Sequence, residues 1–160
     1  MADSNVAIQP VRWRAAVWAG LIGGAAFMML EMIMVPLFGG GSPWGPPRLI
    51  AAIIMGQGVL PPPATFDIGV LMGAMAVHFP LSVVFIPVLA WIVARFDTGV
   101  AALIGAGFGL LLYLVNFYGF TAIFPWFAMA RNWITVFTHI MFGVIAGAAY
   151  KQLAKPKVWR

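Results

Sequence analysis

Apolar residues run through this chain in four long blocks, separated by short breaks rich in glycine, proline or charge. The blocks are 15–38, 66–94, 99–124 and 133–151. About twenty apolar residues suffice to cross a bilayer as a helix, so each block reads as a span. The second is long enough to need tilt or a kink. It contains Pro80 and Pro87, each of which removes a backbone hydrogen bond and should bend the helix. The pattern predicts an all-α fold, an integral membrane four-helix bundle, with residues 1–160 forming one transmembrane domain.

The break at 39–65 is the longest: GGGSPWGPPRLIAAIIMGQGVLPPPAT. Gly39–Gly41 and Pro46–Pro47 stop a helix. The run 48–55 has room for two turns, and Pro47 suits a first turn. Pro61–Pro63 then impose extended, polyproline-like chain. So short a run cannot span. Its apolar content predicts an interfacial or re-entrant helix that caps the bundle. Thr65 or Asp67 is placed to cap the second span.

Composition removes the soluble alternative. The 160 residues are 63% hydrophobic and 8% charged, with a mean hydropathy of +1.00. A domain of this size leaves too much surface exposed to bury that much apolar area from water. There is no cysteine, which excludes disulfides, thiolate metal sites and thiol catalysis.

The net charge of +5 reads as topology and lipid contact, with no nucleic-acid partner implied. Arg12 and Arg14 precede the first block, Arg95 lies in the second break, and Lys151, Lys155, Lys157 and Arg160 form the tail. All seven share one side if both termini are cytoplasmic, and only Arg48 and Arg131 fall outside that set. The expectation is a multi-pass protein of the bacterial inner membrane with N- and C-termini inside. The first block is too long for a signal-peptide core, and no A-x-A site follows it, so it reads as the first span. Trp44, Trp126 and Trp133 at one boundary and Trp13 and Trp159 at the other form an aromatic belt.

Every span carries Gly-x-x-x-Gly: Gly20/Gly24, Gly69/Gly73, Gly105/Gly109 and Gly143/Gly147. Small residues one turn apart let helix backbones approach closely in lipid. Close packing within one chain is the first expectation, and self-association through a glycine face the second. Glu31 follows Gly24 by seven residues and Gly20 by eleven; Asn116 follows Gly109 and Gly105 by the same intervals. Both intervals are near whole turns, so each polar residue shares the face of its own glycines. This spacing suggests two helical hairpins related by a pseudo-two-fold axis along the membrane normal.

Glu31 is the one acid in the first block, and a lone intramembrane carboxyl is costly unless it has a partner, a proton or a function. Three other polar residues lie in the remaining spans: His78, Asn116 and His139. At about 1.5 Å per residue, depths from the cap-side ends are roughly 9 Å for His139, 10 Å for Glu31, 12 Å for Asn116 and 18 Å for His78. One such residue per helix at comparable depth outlines a shared interior site, with Glu31 pointing inward towards His139 or His78. For Ser82, Asn116 and Thr138 hydrogen bonding between helices is the preferred reading, and for Glu31 with one or both histidines the two readings stand even.

Three uses of the site follow. Glu31, His78 and His139 have the donor types for a divalent metal, although no local ligand motif supports one. His78 and His139 on facing helices could be axial ligands of haem b, with Arg131 against a propionate. Glu31 and a histidine could handle protons or ions, with Pro80 freeing a carbonyl near His78. No cofactor is predicted outright. Enzyme chemistry finds no support: there is no nucleophile elbow, no phosphate-cradling loop and no carboxylate pair.

The stretches MMLEMIMVPLF, GGGSPWGPPR, LPPPATFD, AVHFPLS, LVNFYGFTAIFPWFAMARNW and FTHIMFG resemble a group of short bacterial inner-membrane proteins often named sodium:proline symporter. The resemblance covers nearly the whole chain. Such a symporter has a long inverted-repeat fold that four helices cannot make. A fainter likeness is to YagU-like inner-membrane proteins, which similarly place a Pro-Trp-aromatic turn before a last helix carrying a histidine, matched here by Pro125, Trp126, Phe127 and His139. Neither resemblance implies a settled activity. The leading expectation is a non-enzymatic membrane protein, either an accessory subunit of a larger complex, with other membrane subunits and lipid as partners, or a small stress-related factor. The alternative is a small transport or redox module using Glu31, His78, Asn116 and His139.

Overall fold

The computed structural model describes residues 10–155. Asp3, Lys157, Trp159 and Arg160, which enter the charge and aromatic-belt expectations above, lie outside the described residues. Four helices are long and apolar enough to cross a membrane, and the protein is a multi-pass membrane bundle. The spanning helices are α1 (Trp13–Phe38), α3 (Ile68–Val93), α4 (Thr98–Leu114, continued to Ala122) and α5 (Trp133–Leu153). Between α1 and α3 lies α2 (Gly45–Met55), the expected cap helix.

Local chemistry sets the boundaries. Gly39 closes α1 by donating to Val35 O at 2.9 Å, and Gly40 turns the chain away with φ +66°, a conformation that disfavours a side chain. Pro46 and Pro47 occupy the first turn of α2. Asp67 accepts from Val70 N at 2.9 Å, Asp97 from Val100 N at 3.0 Å, and Asn132 from Ile134 N at 2.9 Å, so α3, α4 and α5 each begin on a side-chain cap. The helix of α3 continues through both Pro80 and Pro87.

The third span departs from expectation. A continuous helix over 99–124 is predicted, but α-geometry stops at Leu114. A π-turn at Val115–Gly119 and 3₁₀ turns at Phe120–Ala122 and Pro125–Ala130 follow. Gly119 and Pro125 weaken regular helix here, and Arg131 takes up a loosened carbonyl. Its Nε donates to Phe117 O at 2.7 Å, Nη2 donates to Thr121 Oγ1 at 2.8 Å, and its guanidinium lies 4.4 Å from the Tyr118 ring centre.

The helices pack in the order α4–α5–α1–α3, with α2 laid on α3. Glycine faces make the seams. A Cβ on Gly143 would strike the Gly105 carbonyl, one on Gly109 the His139 carbonyl, and one on Gly147 the Ala101 carbonyl. Across the next seam, a Cβ on Gly20 would meet Ser82 O. Close packing within the chain therefore uses the paired glycines of α1, α4 and α5, whereas Gly69 of the α3 pair is exposed and meets only Asp67 at the start of its own helix. Gly73 faces Met55 and Ala51 of α2.

The pseudo-two-fold expectation fails at one seam. Equivalence of the two hairpins requires α3 to pack on α4 as α1 packs on α5, yet α3 and α4 scarcely touch. At the α1–α5 seam Gly23 lets Phe142 and Ala146 come close. Phe85 of α3 and Ile104 and Phe108 of α4 lie at the edge of the core, partly buried against it.

The consequence is a bundle of two halves. Near the termini, Ala15, Ala16, Ala19, Ile86, Leu89, Val93, Ala101, Ala146 and Tyr150 form a closed core. Near the cap, the helices stand apart around a chamber. Its roof is tied together by Trp126, whose Nε1 donates to Leu49 O of α2 at 3.0 Å. Arg48 adds bonds from Nη1 to Val59 O at 2.7 Å and from Nη2 to Thr65 O at 3.1 Å.

Candidate functional site

Glu31, His78, Asn116 and His139 all line this one chamber, which encloses about 530 Å³. Glu31 is 5% and His139 6% exposed; His78 and Asn116 are half-buried. The expected inward orientation of Glu31 is what the structure has.

Its partners differ from those expected. Neither histidine bonds to the carboxyl. Thr138 of α5 donates from Oγ1 to Glu31 Oε1 at 2.6 Å, and the Thr135 hydroxyl lies against the same carboxyl. No charged group stands beside Glu31 among the described residues. Thr138 Oγ1 is also 3.1 Å from Thr135 O, and that carbonyl accepts from His139 Nδ1 at 2.8 Å. Glu31 and His139 therefore meet at the same Thr135–Thr138 turn of α5 without a bond between them.

The tautomers follow from these contacts. A carbonyl only accepts, so Nδ1 of His139 carries a proton, and in the neutral ring Nε2 holds the lone pair. His78 is the reverse. Its Nε2 lies 2.8 Å from Gly24 O and carries the proton, which leaves Nδ1 as the acceptor. Gly24 makes this reach possible, since a Cβ there would meet His78 Nε2 and the Ser82 hydroxyl. Ser82 in turn donates to His78 O at 2.8 Å.

Phe27 stands against both imidazoles, stacked on His78 at 5.3 Å and edge-on to His139 at 4.8 Å. Tyr113 and Phe117 meet the other edges of His139 at 5.7 and 5.4 Å. Phe27 packs against both imidazoles, and the lone pairs left for an iron or another ligand lie on His139 Nε2 and His78 Nδ1. Glu31, His78 and His139 do not draw together as three ligands around one point, among the described residues. Arg131, considered for a propionate, instead secures the π-turn.

The rest of the lining is apolar. Seven of the lining residues are phenylalanines, among them Phe27, Phe117, Phe120 and Phe127, and no lysine or arginine lines it. Several lining residues are also exposed on the outer surface of the bundle: Leu81 at 44%, Ile54 at 60% and Phe120 at 42%. They mark a mouth between α3 and the π-turn, where lipid chains would lie. The carbonyl of Ala76 at this rim has lost its helical donor to Pro80.

Thr138 makes the interhelical hydrogen bond expected of it, but sequence reasoning did not name Glu31 as its acceptor and missed Thr135. The spacing Thr135-x-x-Thr138-His139 was a usable signal, because it sets two hydroxyls and an imidazole on neighbouring faces of one helix. It also missed Phe27 as the spacer between the histidines.

Fold and site together define a multi-pass four-helix membrane protein with a polar-tipped, phenylalanine-lined chamber in one half of its bundle. No protein-family model matches the chain, and no curated protein or solved structure matches it either.

Proposed function

We propose that the protein is a small non-enzymatic membrane module that holds a lipid-soluble small molecule in its chamber, as a step in moving that molecule within or across the bilayer. One observation carries this reading: Glu31, His78, Asn116 and His139, from four separate segments, line a single apolar cavity with no hydrogen bond among the four. Glu31 and His78 also hold helices together, through Thr138 and the Gly24 carbonyl, but helix pairing alone requires no open chamber between them. The volume lies in the range of small-molecule sites, and an apolar wall with a few convergent polar groups is their usual make-up.

The reading places the protein in a bacterial inner membrane with both termini cytoplasmic. It is supported by Arg12, Arg14, Arg95, Lys151 and Lys155 at the end opposite the cap. In sealed vesicles, Glu31→Gln should abolish flux of the transported molecule while leaving the helical fold intact. Undiminished flux would count against the proposal. A Soret band or stoichiometric metal in the purified protein would redirect it to redox chemistry.

The brevity of the connections favours a second reading, an accessory subunit of a larger membrane complex or a small stress-related factor. Only Ala94–Asp97 link α3 to α4, and no soluble domain lies among the described residues. This reading predicts co-purification with larger subunits. A lone, well-behaved monomer in mild detergent would argue against it.

A further inference from the structure

Resting on the chamber reading above, we infer that the ligand is a lipophilic organic cation, entering sideways from the cap-side leaflet between α3 and the π-turn.

The charge of the chamber points to a cation. Among the described residues its lining holds one carboxyl, Glu31, and no lysine or arginine. The hydroxyl of Thr138 bonds that carboxyl but brings no compensating charge. An ionised carboxyl held away from water without a counter-ion is costly, and a bound cation removes that cost. The histidines add acceptors. The protons on His139 Nδ1 and His78 Nε2 are turned to backbone carbonyls, so the neutral rings offer lone pairs to a ligand. An anion would find a carboxyl and no positive partner.

The walls point to an organic cation. A small hydrated metal ion needs several oxygen or nitrogen ligands around one point, and Glu31, His78 and His139 do not supply them. Phenylalanine faces instead attract a diffuse positive charge through the ring quadrupole. Phe27, Phe117, Phe120 and Phe127 lie on the chamber wall with Glu31. The mouth lies between helices at Leu81 and Phe120, both exposed on the lipid-facing surface, so the ligand must dissolve in the bilayer first. The roof of α2 and Trp126, joined at Leu49 O, covers the direct route from water.

The test is calorimetric titration of the full chain in detergent with tetraphenylphosphonium, its neutral relative triphenylphosphine oxide, and the anion tetraphenylborate. The expected result is saturable binding of the phosphonium, one per chain, with the oxide and the borate at least about tenfold weaker. Glu31→Gln keeps an acceptor for Thr138 and should weaken the phosphonium by about tenfold or more. Phe120→Leu, at the exposed rim, should weaken it about two- to fivefold. The comparison of probes on the unaltered protein stands even if Glu31→Gln does not fold. Oxide that competes with the phosphonium at equal affinity, or preferred borate, overturns the cation and leaves the chamber as a small-molecule site. No saturable binding of any probe to folded protein overturns both.

Discussion

Thr138 has one proton to give and two acceptors within reach, Glu31 Oε1 at 2.6 Å and Thr135 O at 3.1 Å. Thr135 O already accepts from His139 Nδ1 and from the helix, so the hydroxyl belongs to Glu31. Thr138→Val should then take from Glu31 the nearer of its two hydroxyl donors and cost about 1 kcal/mol, whereas Thr138→Ser should cost little. Chemical denaturation in detergent, followed by tryptophan fluorescence, would show the difference; equal stability of the two variants would remove Thr138 from this role. At the same scale, nitrogen-15 spectra should find the two neutral histidines in opposite tautomers, His139 protonated on Nδ1 and His78 on Nε2. Matching tautomers would contradict the assignment. The inward face of Glu31 was legible, because seven and eleven residues from Gly24 and Gly20 are near whole turns. Its partner was not. Threonines are unremarkable in a spanning helix, and no periodicity states which helix lies beside which.

At the scale of elements, the α4–α5 seam depends on backbone touching backbone. Gly143→Ala has no room, because the Gly105 carbonyl stands where the methyl would go. Expression of folded protein should collapse, as judged by monodisperse elution in detergent. Gly107→Ala, on the same helix pair with nothing within 4 Å, should elute as the unaltered protein does. The π-turn makes a separate case. Arg131→Lys keeps the charge but loses the planar fork that reaches both Phe117 O and Thr121. It should loosen Val115–Gly119, seen as faster amide exchange there and not in α5. The four spans and the cap helix could be read from block lengths and prolines. The loss of α-geometry after Leu114 could not, since a π-turn needs one extra residue of register and leaves no period of its own.

Across the whole molecule, an even number of spans returns the chain to the side where it began, and the cap lies opposite. The chain has no native cysteine, so single introduced ones report cleanly. In intact cells stripped of their outer membrane, Ser42→Cys should react with a membrane-impermeant maleimide and Gln152→Cys should not. The reverse pattern would invert the orientation. The open side of the bundle lay beyond sequence reasoning for a physical reason. Glycine spacing shows which faces are able to close, but not which helices are neighbours, and α3 and α4, adjacent in sequence, scarcely touch.

The seams also divide the protein mechanically. Helices α4, α5 and α1 are joined by glycines at both seams. Helix α3, with α2 on its back, meets the bundle along one edge, where Gly20 and Gly24 face Ser82 and His78. Of the two end helices, α4 and α3, it is α3 that has the looser seam. Changes in chamber volume are therefore expected at the α1–α3 edge. Spin labels at Ile54 of α2 and Met129 of the Pro125–Ala130 turn, both exposed, should give a broad distance distribution that narrows when the chamber fills. Labels at Met29 and Phe137, exposed on α1 and α5, should give a narrow one that does not move.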